Sequence, residues 1–232
     1  NFMLIALPNA DGSFTCTLFL PFEGDVAFEH LTNDEAVLDF FNRYFADSVP
    51  LMPTLLEDFR NNPTSSLVTT QCYPWQWQNR MLLIGDSAHA IVPFYGQGMN
   101  AGFEDCTILD TMYDAYGGDW SRIIADFSEQ RKKDGDAILE LALRNFIEMR
   151  DLVGDPKFLL RKKIAAHLHE RHPEFLPVYS MVSFSNIPYH VALREDDRQN
   201  DLFRRILAIP DIEQNWDGPE VEHVFREWMQ AG

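Results

Sequence analysis

The stretch LLIGDSAHAIVPFYGQGMNAGFEDC carries residue types suited to holding a polar ligand. Gly96, Gly98 and Gly102 would let a flat or anionic ligand approach the main chain closely. The unpaired N–H groups at the start of a helix would stabilise negative charge on that ligand. The Asp86 carboxylate suits a different task, because it accepts hydrogen bonds from hydroxyl groups. A ligand with both a polyol chain and an electron-accepting ring would explain both features.

Two predicted elements would hold these residues in place. The apolar residues of RMLLIG predict a short buried strand that ends at the Gly-Asp pair. The residues after the glycines predict a helix that continues to about Tyr113. Asp86 would then emerge at the edge of a sheet. Without further context, the same residues also fit an ordinary helix start with turn glycines.

The beginning of the chain predicts a β-hairpin. FMLIAL and SFTCTLFLPF are strand-like runs on either side of PNADG, whose Asp-Gly pair favours a tight turn. Alternation puts Met3, Ile5 and Leu7 on one face of the first strand and Phe2 and Leu4 on the other. Because both faces are apolar, we expect the sheet to be covered on each side or to bind a ligand on one side.

Helices are predicted for most of the remaining chain. TNDEAVLDFFNRYF predicts a helix capped by Thr32 or Asn33, whereas SSLVTTQCYPWQW predicts one or two strands. Asp119 is expected to cap a long helix in which Gly135 is a weak point, and PKFLLRKKIAAHLHERH predicts another helix. The last fifty residues are expected to be irregular with short helices. We therefore predict an α/β fold, α+β within this chain, with a sheet-rich region at 1–80, a strand–turn–helix unit at 81–116 and a helical region at 117–232.

Composition and charge exclude several classes of function. The net charge of −17 repels phosphate backbones and anionic lipids, so no nucleic-acid or membrane partner is expected. No run of eighteen apolar residues is present, and the first residues lack the basic region of a signal peptide. The three cysteines have no metal-type spacing, which predicts reduced thiols in a reducing compartment.

Two possible catalytic or metal sites are unconvincing on chemical grounds. Asp86, Ser87 and His89 are too close in sequence to converge as a hydrolase triad, and no Gly-x-Ser-x-Gly motif is present. The histidines of HLHERH fit a solvated helix end better than a metal site. We therefore expect no metal and no catalytic side chain.

The complete order of the glycine segment is more specific than its parts. The order strand–GD–six residues–P–x–x–G–x–G–x–N–x–G–x–x–D resembles the second flavin motif of the class A flavoprotein aromatic hydroxylases. Within that family, FMLIALPNADGSFTCTLF, AHAIVPFYGQGMNAGFEDC, NFIEMR and PVYSMVSFS are similar to the kynurenine 3-monooxygenases. The resemblance implies FAD, NADPH and dioxygen as reactants, and hydroxylation of L-kynurenine to 3-hydroxykynurenine, with the difficult chemistry on the flavin.

The resemblance also implies contacts with the cofactor. Asp86 resembles the ligand of the FAD ribityl hydroxyls. The backbone at Gly98, Met99 and Asn100 resembles the contact with the edge of the isoalloxazine ring, and Pro93 is expected beside that ring.

On the substrate side, Asn145 and Tyr179 resemble polar anchors for the amino-acid end of kynurenine. The remaining implied contacts are Phe94, Tyr95 and Gln97 near the flavin, and the sheet face of Met3, Ile5, Leu7 and Phe19 against the aromatic ring. Met149 is added because it lies one helical turn from Asn145 on the same face. An apolar pocket with a few polar groups suits a ligand of this kind.

Two parts of the family pattern are absent from these 232 residues: the first flavin motif, Gly-x-Gly-x-x-Gly after a strand, and a basic partner for the substrate carboxylate. The chain is therefore expected to be a C-terminal portion whose partner is the missing N-terminal half of the same protein. Alone, it is expected to bind FAD weakly, to be inactive and to aggregate. Without a hydrophobic C-terminal tail, it resembles the soluble, cytoplasmic, bacterial form.

Two other functions stay open from the sequence alone. Another class A aromatic hydroxylase would keep the glycine segment without needing Asn145 and Tyr179. A flavin-free interaction module derived from the same fold is compatible with the absence of the first flavin motif.

Overall fold

The computed structural model describes residues 2–231 and divides the chain into two compact units, residues 1–67 and 68–232. Helices predominate and the sheets are small, so the α+β class predicted for this chain is confirmed. The division between the units lies earlier than the boundary at residue 80 that the sequence suggests, because Trp75 belongs to the core of the second unit.

The first unit begins with the predicted hairpin. Strands β1 (Met3–Pro8) and β2 (Phe14–Phe19) pair antiparallel, with Met3 opposite Phe19 and Leu7 opposite Thr15. In the connecting turn, Gly12 has a φ of +85°, and Asp11 accepts hydrogen bonds from the backbone and hydroxyl of Ser13. The Asp-Gly pair thus forms the turn that its residue types favour.

Two helices cover one face of this hairpin. Helix α1 (Asp34–Tyr44) is capped by the Asn33 side chain, which accepts a hydrogen bond from the Ala36 amide, and α2 (Leu55–Asn61) follows. The core of the unit contains Val37, Phe40 and Phe41 of α1, and the hairpin packs on it through Phe2, Leu4, Leu18 and Leu20. Met3 and Ile5 therefore lie on the opposite face of the hairpin, away from this core.

The second unit has less strand structure than the sequence predicts. Of the residues described in this unit, only β3 (Gln76–Trp77) and β4 (Met81–Leu82) form strands, and they pair with each other. RMLLIG contains the predicted short strand as β4, but the prediction that it is buried is wrong: Met81 is exposed, and so are Leu83 and Ile84. A central strand is buried by partners on both sides, and among the described residues β4 pairs with β3 alone.

The segment after β4 forms the predicted turn and helix. The short helix α3 (Asp86–His89) follows Gly85, a 3₁₀ turn covers Pro93–Tyr95, and α4 runs over Gly98–Ala115. Helix α4 thus begins at the predicted glycines and ends two residues after Tyr113.

A long helix forms the centre of the second unit. Helix α5 (Trp120–Ile147) is capped as predicted by Asp119, which accepts from the Arg122 amide, and continues into a π-helical turn, Glu148–Leu152. Helix α6 (Pro156–Arg171) is the further predicted helix. The ring of Trp75 packs directly on Gly135, where an added Cβ would lie 2.6 Å from the ring. Gly135 is therefore a packing position as well as a poor helix former.

The last part of the chain is more regular than predicted. Helices α7 (Val178–Phe184), α8 (Tyr189–Ile206) and α9 (Pro219–Gln230) follow. Helix α8 has 18 residues and buries Leu202 and Ile206 on one face. Its sequence is rich in charged residues, which conceals an apolar stripe that the tertiary core stabilises. Within residues 2–231, no helix combines the length and apolarity that crossing a membrane requires.

Candidate functional site

Asp86 is presented on a tight turn. Gly85 has a φ of +56°, a conformation that favours glycine, and Asp86 is the first residue of α3. The Asp86 side chain is exposed, and no hydrogen bond joins it to another group in the described part of the chain. The carboxylate is therefore available to accept hydrogen bonds from a ligand.

The start of α4 offers unpaired donors close by in the sequence. Gly96 has a φ of +68°, and the first helical bond of α4 runs from the Ala101 amide to the Gln97 carbonyl. Among residues 2–231, no acceptor bonds the amides of Gly98–Asn100, and no side chain caps the helix. No atom lies within 4 Å of a Cβ built on Gly96, so a flat group can approach. These residues fit an electron-rich ring edge.

A buried carboxylate lies behind this turn. Asp105 of α4 is wholly buried, and its Oδ2 accepts from the Gly85 amide at 2.8 Å and contacts Nε2 of His89 at 2.7 Å. Its Oδ1 accepts from Nε of Arg131 at 2.7 Å. Burial alone would raise the pKa of Asp105, but the hydrogen bonds from His89, Arg131 and Gly85 hold it below its ordinary value. The hydrogen bond to Asp105 thus explains the position of His89, and no hydrolase triad is needed to explain it.

Asn145 and Met149 meet the turn at Phe94. Asn145 of α5 is buried and donates from Nδ2 to the Phe94 carbonyl at 2.8 Å, and its Nδ2 lies 3.6 Å from the Met149 sulfur. The Phe94 ring is buried and stacks on Phe146 with centroids 4.6 Å apart. The structure therefore groups three predicted substrate contacts, although Asn145 already holds the backbone of the turn.

Tyr95 and Tyr179 form a second group beside the first. Their rings are stacked with centroids 5.5 Å apart, and 47% of Tyr179 is exposed. Burial raises the pKa of Tyr95 far above its ordinary value, and the carboxylates of Glu148 and Asp196 add to that shift. The Tyr179 hydroxyl makes no hydrogen bond within the described residues, so it is available to a ligand.

Gln97 is held more tightly than the sequence suggests. It is buried, and its Oε1 accepts from the Tyr189 hydroxyl and from Nδ2 of Asn100, both at 3.2 Å. Burial raises the pKa of Tyr189 to about 12, so its hydroxyl stays a donor. Tyr189 was not predicted as a site residue, and no local pattern indicates it, because it lies 92 positions from its partner.

A polar cavity of about 390 Å³ opens beside the start of α4. Gln97, Asn100 and Glu104 line it from one side, and Ser183 and Asn186 line it from the other. The Ser183 hydroxyl is buried without a hydrogen-bond partner among the described residues. A ligand at the α4 start would therefore have space and polar neighbours.

In the first unit, the hairpin register puts four predicted substrate contacts on one face. Met3 lies opposite Phe19, and Ile5 and Leu7 are on the same side of β1. Leu7 is exposed, whereas Met3, Ile5 and Phe19 are half-buried. Their role against an aromatic ring stays a prediction.

Comparison with known proteins agrees with the resemblance that the sequence motifs indicate. The family model "FAD binding domain" matches residues 53–138. Over 231 residues, 99% of its length, the chain is 51% identical to the kynurenine 3-monooxygenase of Flavobacterium johnsoniae and covers 52% of that protein. The values for the protein of the same name from Flavobacterium psychrophilum are 52% identity, 100% of the chain and 52% of the relative.

A more distant relative gives the same result. The kynurenine 3-monooxygenase of Dictyostelium discoideum is 47% identical over 205 residues, which are 83% of the chain and 45% of that protein. The resemblance inferred from the motifs is therefore confirmed. The chain spans about half the length of these relatives.

Proposed function

We propose that this chain, a relative of the kynurenine 3-monooxygenases, forms the flavin-ring and substrate-anchoring part of an enzyme that hydroxylates L-kynurenine to 3-hydroxykynurenine. The reactants are NADPH and dioxygen, and FAD is the cofactor. Each turnover would place one oxygen atom on the aromatic ring and reduce the other to water.

One observation carries the cofactor assignment. A single short segment offers an exposed carboxylate at Asp86, which makes no bond within the described chain, and three similarly unbonded amides at Gly98–Asn100. The carboxylate suits the ribityl hydroxyls, and the amides suit the part of the ring that becomes electron-rich on reduction. Pro93 would lie beside the ring. When bound, the FAD supplies the redox chemistry that activates oxygen.

The substrate anchors are proposed on separate grounds. Tyr179 is exposed and stacks on the half-buried Tyr95 ring, so a polar hydroxyl and an apolar wall lie together. Asn145 keeps the Phe94 carbonyl in place, and Met149 lines the same turn. These side chains would orient the substrate and exclude water, and no acid–base role is assigned to them.

The proposed role of Gln97 changes with its contacts. The Gln97 Oε1 accepts hydrogen bonds from Tyr189 and Asn100, so Gln97 would act on the substrate mainly by fixing the turn that carries Phe94 and Tyr95.

A cytoplasmic location is also part of the proposal. The three cysteines are unpaired, which supports a reducing compartment.

A substrate panel on the complete natural protein tests this proposal. L-kynurenine, anthranilate, salicylate and 4-hydroxybenzoate would each be added to the FAD-loaded protein, with NADPH oxidation and hydroxylated product measured together. We expect stoichiometric product from L-kynurenine alone. Product from another aromatic acid, with none from L-kynurenine, would indicate a different aromatic hydroxylase. A protein that binds no flavin would refute the cofactor assignment.

A further inference from the structure

The four-residue helix α3, which carries Asp86, is held at both ends by one side chain. Gly85 precedes the helix and donates its amide to Asp105 Oδ2, and His89 ends the helix and bonds the same oxygen. The two distances are 2.8 Å and 2.7 Å. A helix this short has little stability of its own, so its geometry depends on such external contacts.

The other oxygen of Asp105 is tied to the central helix α5. Oδ1 accepts from Nε of Arg131, whose side chain is almost completely buried. The Arg131 guanidinium also bonds Glu104 and lies 3.7 Å from Asp134. The carboxylate therefore joins three elements, the turn at Gly85, α4 and α5.

The buried Asp105–Arg131 ion pair has a large desolvation cost, so stability alone does not explain it. Taking a carboxylate and a guanidinium out of water costs several kcal/mol per ion, and apolar residues of similar volume often stabilise a core as well or better. A buried ion pair does, however, fix the relative position of its neighbours, since its hydrogen bonds are directional. Here the neighbours are the residues on either side of Asp86.

We propose that Asp105 is a positioning residue for cofactor binding: it holds Gly85 and His89 so that the Asp86 carboxylate is presented in the orientation that binds the ligand. Arg131 keeps Asp105 ionised and in place. This inference rests on the proposed function, in that Asp86 must contact FAD.

A double-mutant cycle on FAD affinity tests the inference. The variants Asp86→Ala, Asp105→Asn and the double variant would be prepared in the complete natural protein, and FAD would be titrated into each apoprotein by flavin fluorescence. Asp105→Asn keeps the size of the side chain but removes the charge and one acceptor. If Asp105 acts through Asp86, Asp105→Asn weakens binding about tenfold alone and less than about twofold in the Asp86→Ala background.

A purely structural role predicts a different pattern. General loosening of the fold would weaken FAD binding by the same factor in both backgrounds, and that additive result would overturn the inference. Asp110→Asn is the matched control, because Asp110 is exposed on the same helix α4 and should leave FAD affinity unchanged.

Two further outcomes concern the cofactor assignment and the folding of Asp105→Asn. If Asp86→Ala alone leaves FAD affinity unchanged, the cofactor assignment itself fails, and the inference fails with it. If Asp105→Asn does not fold, His89→Gln replaces it, because glutamine keeps an N–H donor but cannot reproduce the geometry of the imidazole. It should weaken FAD binding several-fold and show the same loss of effect beside Asp86→Ala, and an additive result would again count against positioning.

Discussion

Asp86 and Asp105 are carboxylates of the same segment with opposite surroundings. Asp86 is exposed and makes no bond within the described residues, whereas Asp105 is fully buried and bonded to Gly85, His89 and Arg131. The motif contains both residues, and their environments distinguish the proposed ligand contact, Asp86, from the proposed support, Asp105. The two should therefore respond differently to substitution.

Replacing Asp86 by alanine should affect the cofactor and not the fold. The change removes an acceptor of ribityl hydrogen bonds and should cost about 1–3 kcal/mol of FAD affinity. The thermal unfolding of the apoprotein should stay the same, since the side chain makes no hydrogen bond or ion pair with another described group. Ser87→Ala, at the next exposed position, is the control for both measurements. Equal FAD retention on dialysis by Asp86→Ala and the wild type would contradict the assignment.

Tyr179 and Asn145 should behave differently from each other. Tyr179→Phe should raise the KM for L-kynurenine without changing FAD content or stability, because its hydroxyl bonds no described residue. Asn145→Ala should raise KM and also lower the free energy of unfolding by about 0.5–1.5 kcal/mol, since it removes a buried hydrogen bond to the Phe94 carbonyl. Steady-state kinetics and urea denaturation measure these effects. Loss of flavin from Tyr179→Phe would show that it supports the fold instead.

The contact of α5 with Trp75 leaves no room for a side chain at Gly135. Gly135→Ala should improve helix propensity by about 1 kcal/mol, yet its Cβ would lie 2.6 Å from the Trp75 ring. The resulting overpacking costs about 1–3 kcal/mol, so we expect no stabilisation and a net loss. Gly154→Ala is the matched control, because its Cβ meets nothing within 4 Å. A more stable Gly135→Ala protein in urea denaturation would contradict this packing.

The junction of α6 and α9 should be sensitive to acid. The hydrogen bond from His172 holds the pKa of Glu222 below its ordinary value of 4.5, and Arg226 adds to the effect. Because the folded-state pKa is lowered, the stabilisation is complete above the unfolded value and is lost as pH falls through the folded value. Glu222→Gln should therefore flatten the fall in thermal stability below about pH 4.5. An unchanged slope between wild type and variant would exclude this contribution.

Sequence patterns predict the structural features that depend on residues close together in the chain. The caps at Asn33 and Asp119, the Asp-Gly hairpin turn and the start of α4 depend on neighbouring residues and are visible in sequence. The sequence does not indicate helix α8 as one long helix, because many of its residues are charged and its apolar stripe gains stability only from the tertiary core. The contact of Tyr189 with Gln97 joins positions too far apart for any periodic pattern to indicate.

The molecule as a whole carries a net charge of −17, and its residues align with about half the length of kynurenine 3-monooxygenases. The negative charge gives no support to a nucleic-acid partner, and the alignment supports the proposed aromatic substrate. For the complete protein, the proposed function makes a claim about the source of oxygen: the atom placed on kynurenine would come from dioxygen.

An isotope experiment on the complete natural protein identifies the source of that oxygen atom. FAD-loaded protein, NADPH and L-kynurenine would be incubated under ¹⁸O₂ in ordinary water, and the product would be analysed by mass spectrometry. We predict 3-hydroxykynurenine with one ¹⁸O atom per molecule. Product that carries oxygen from water, or NADPH oxidation that yields no hydroxylated kynurenine, would contradict the proposed function.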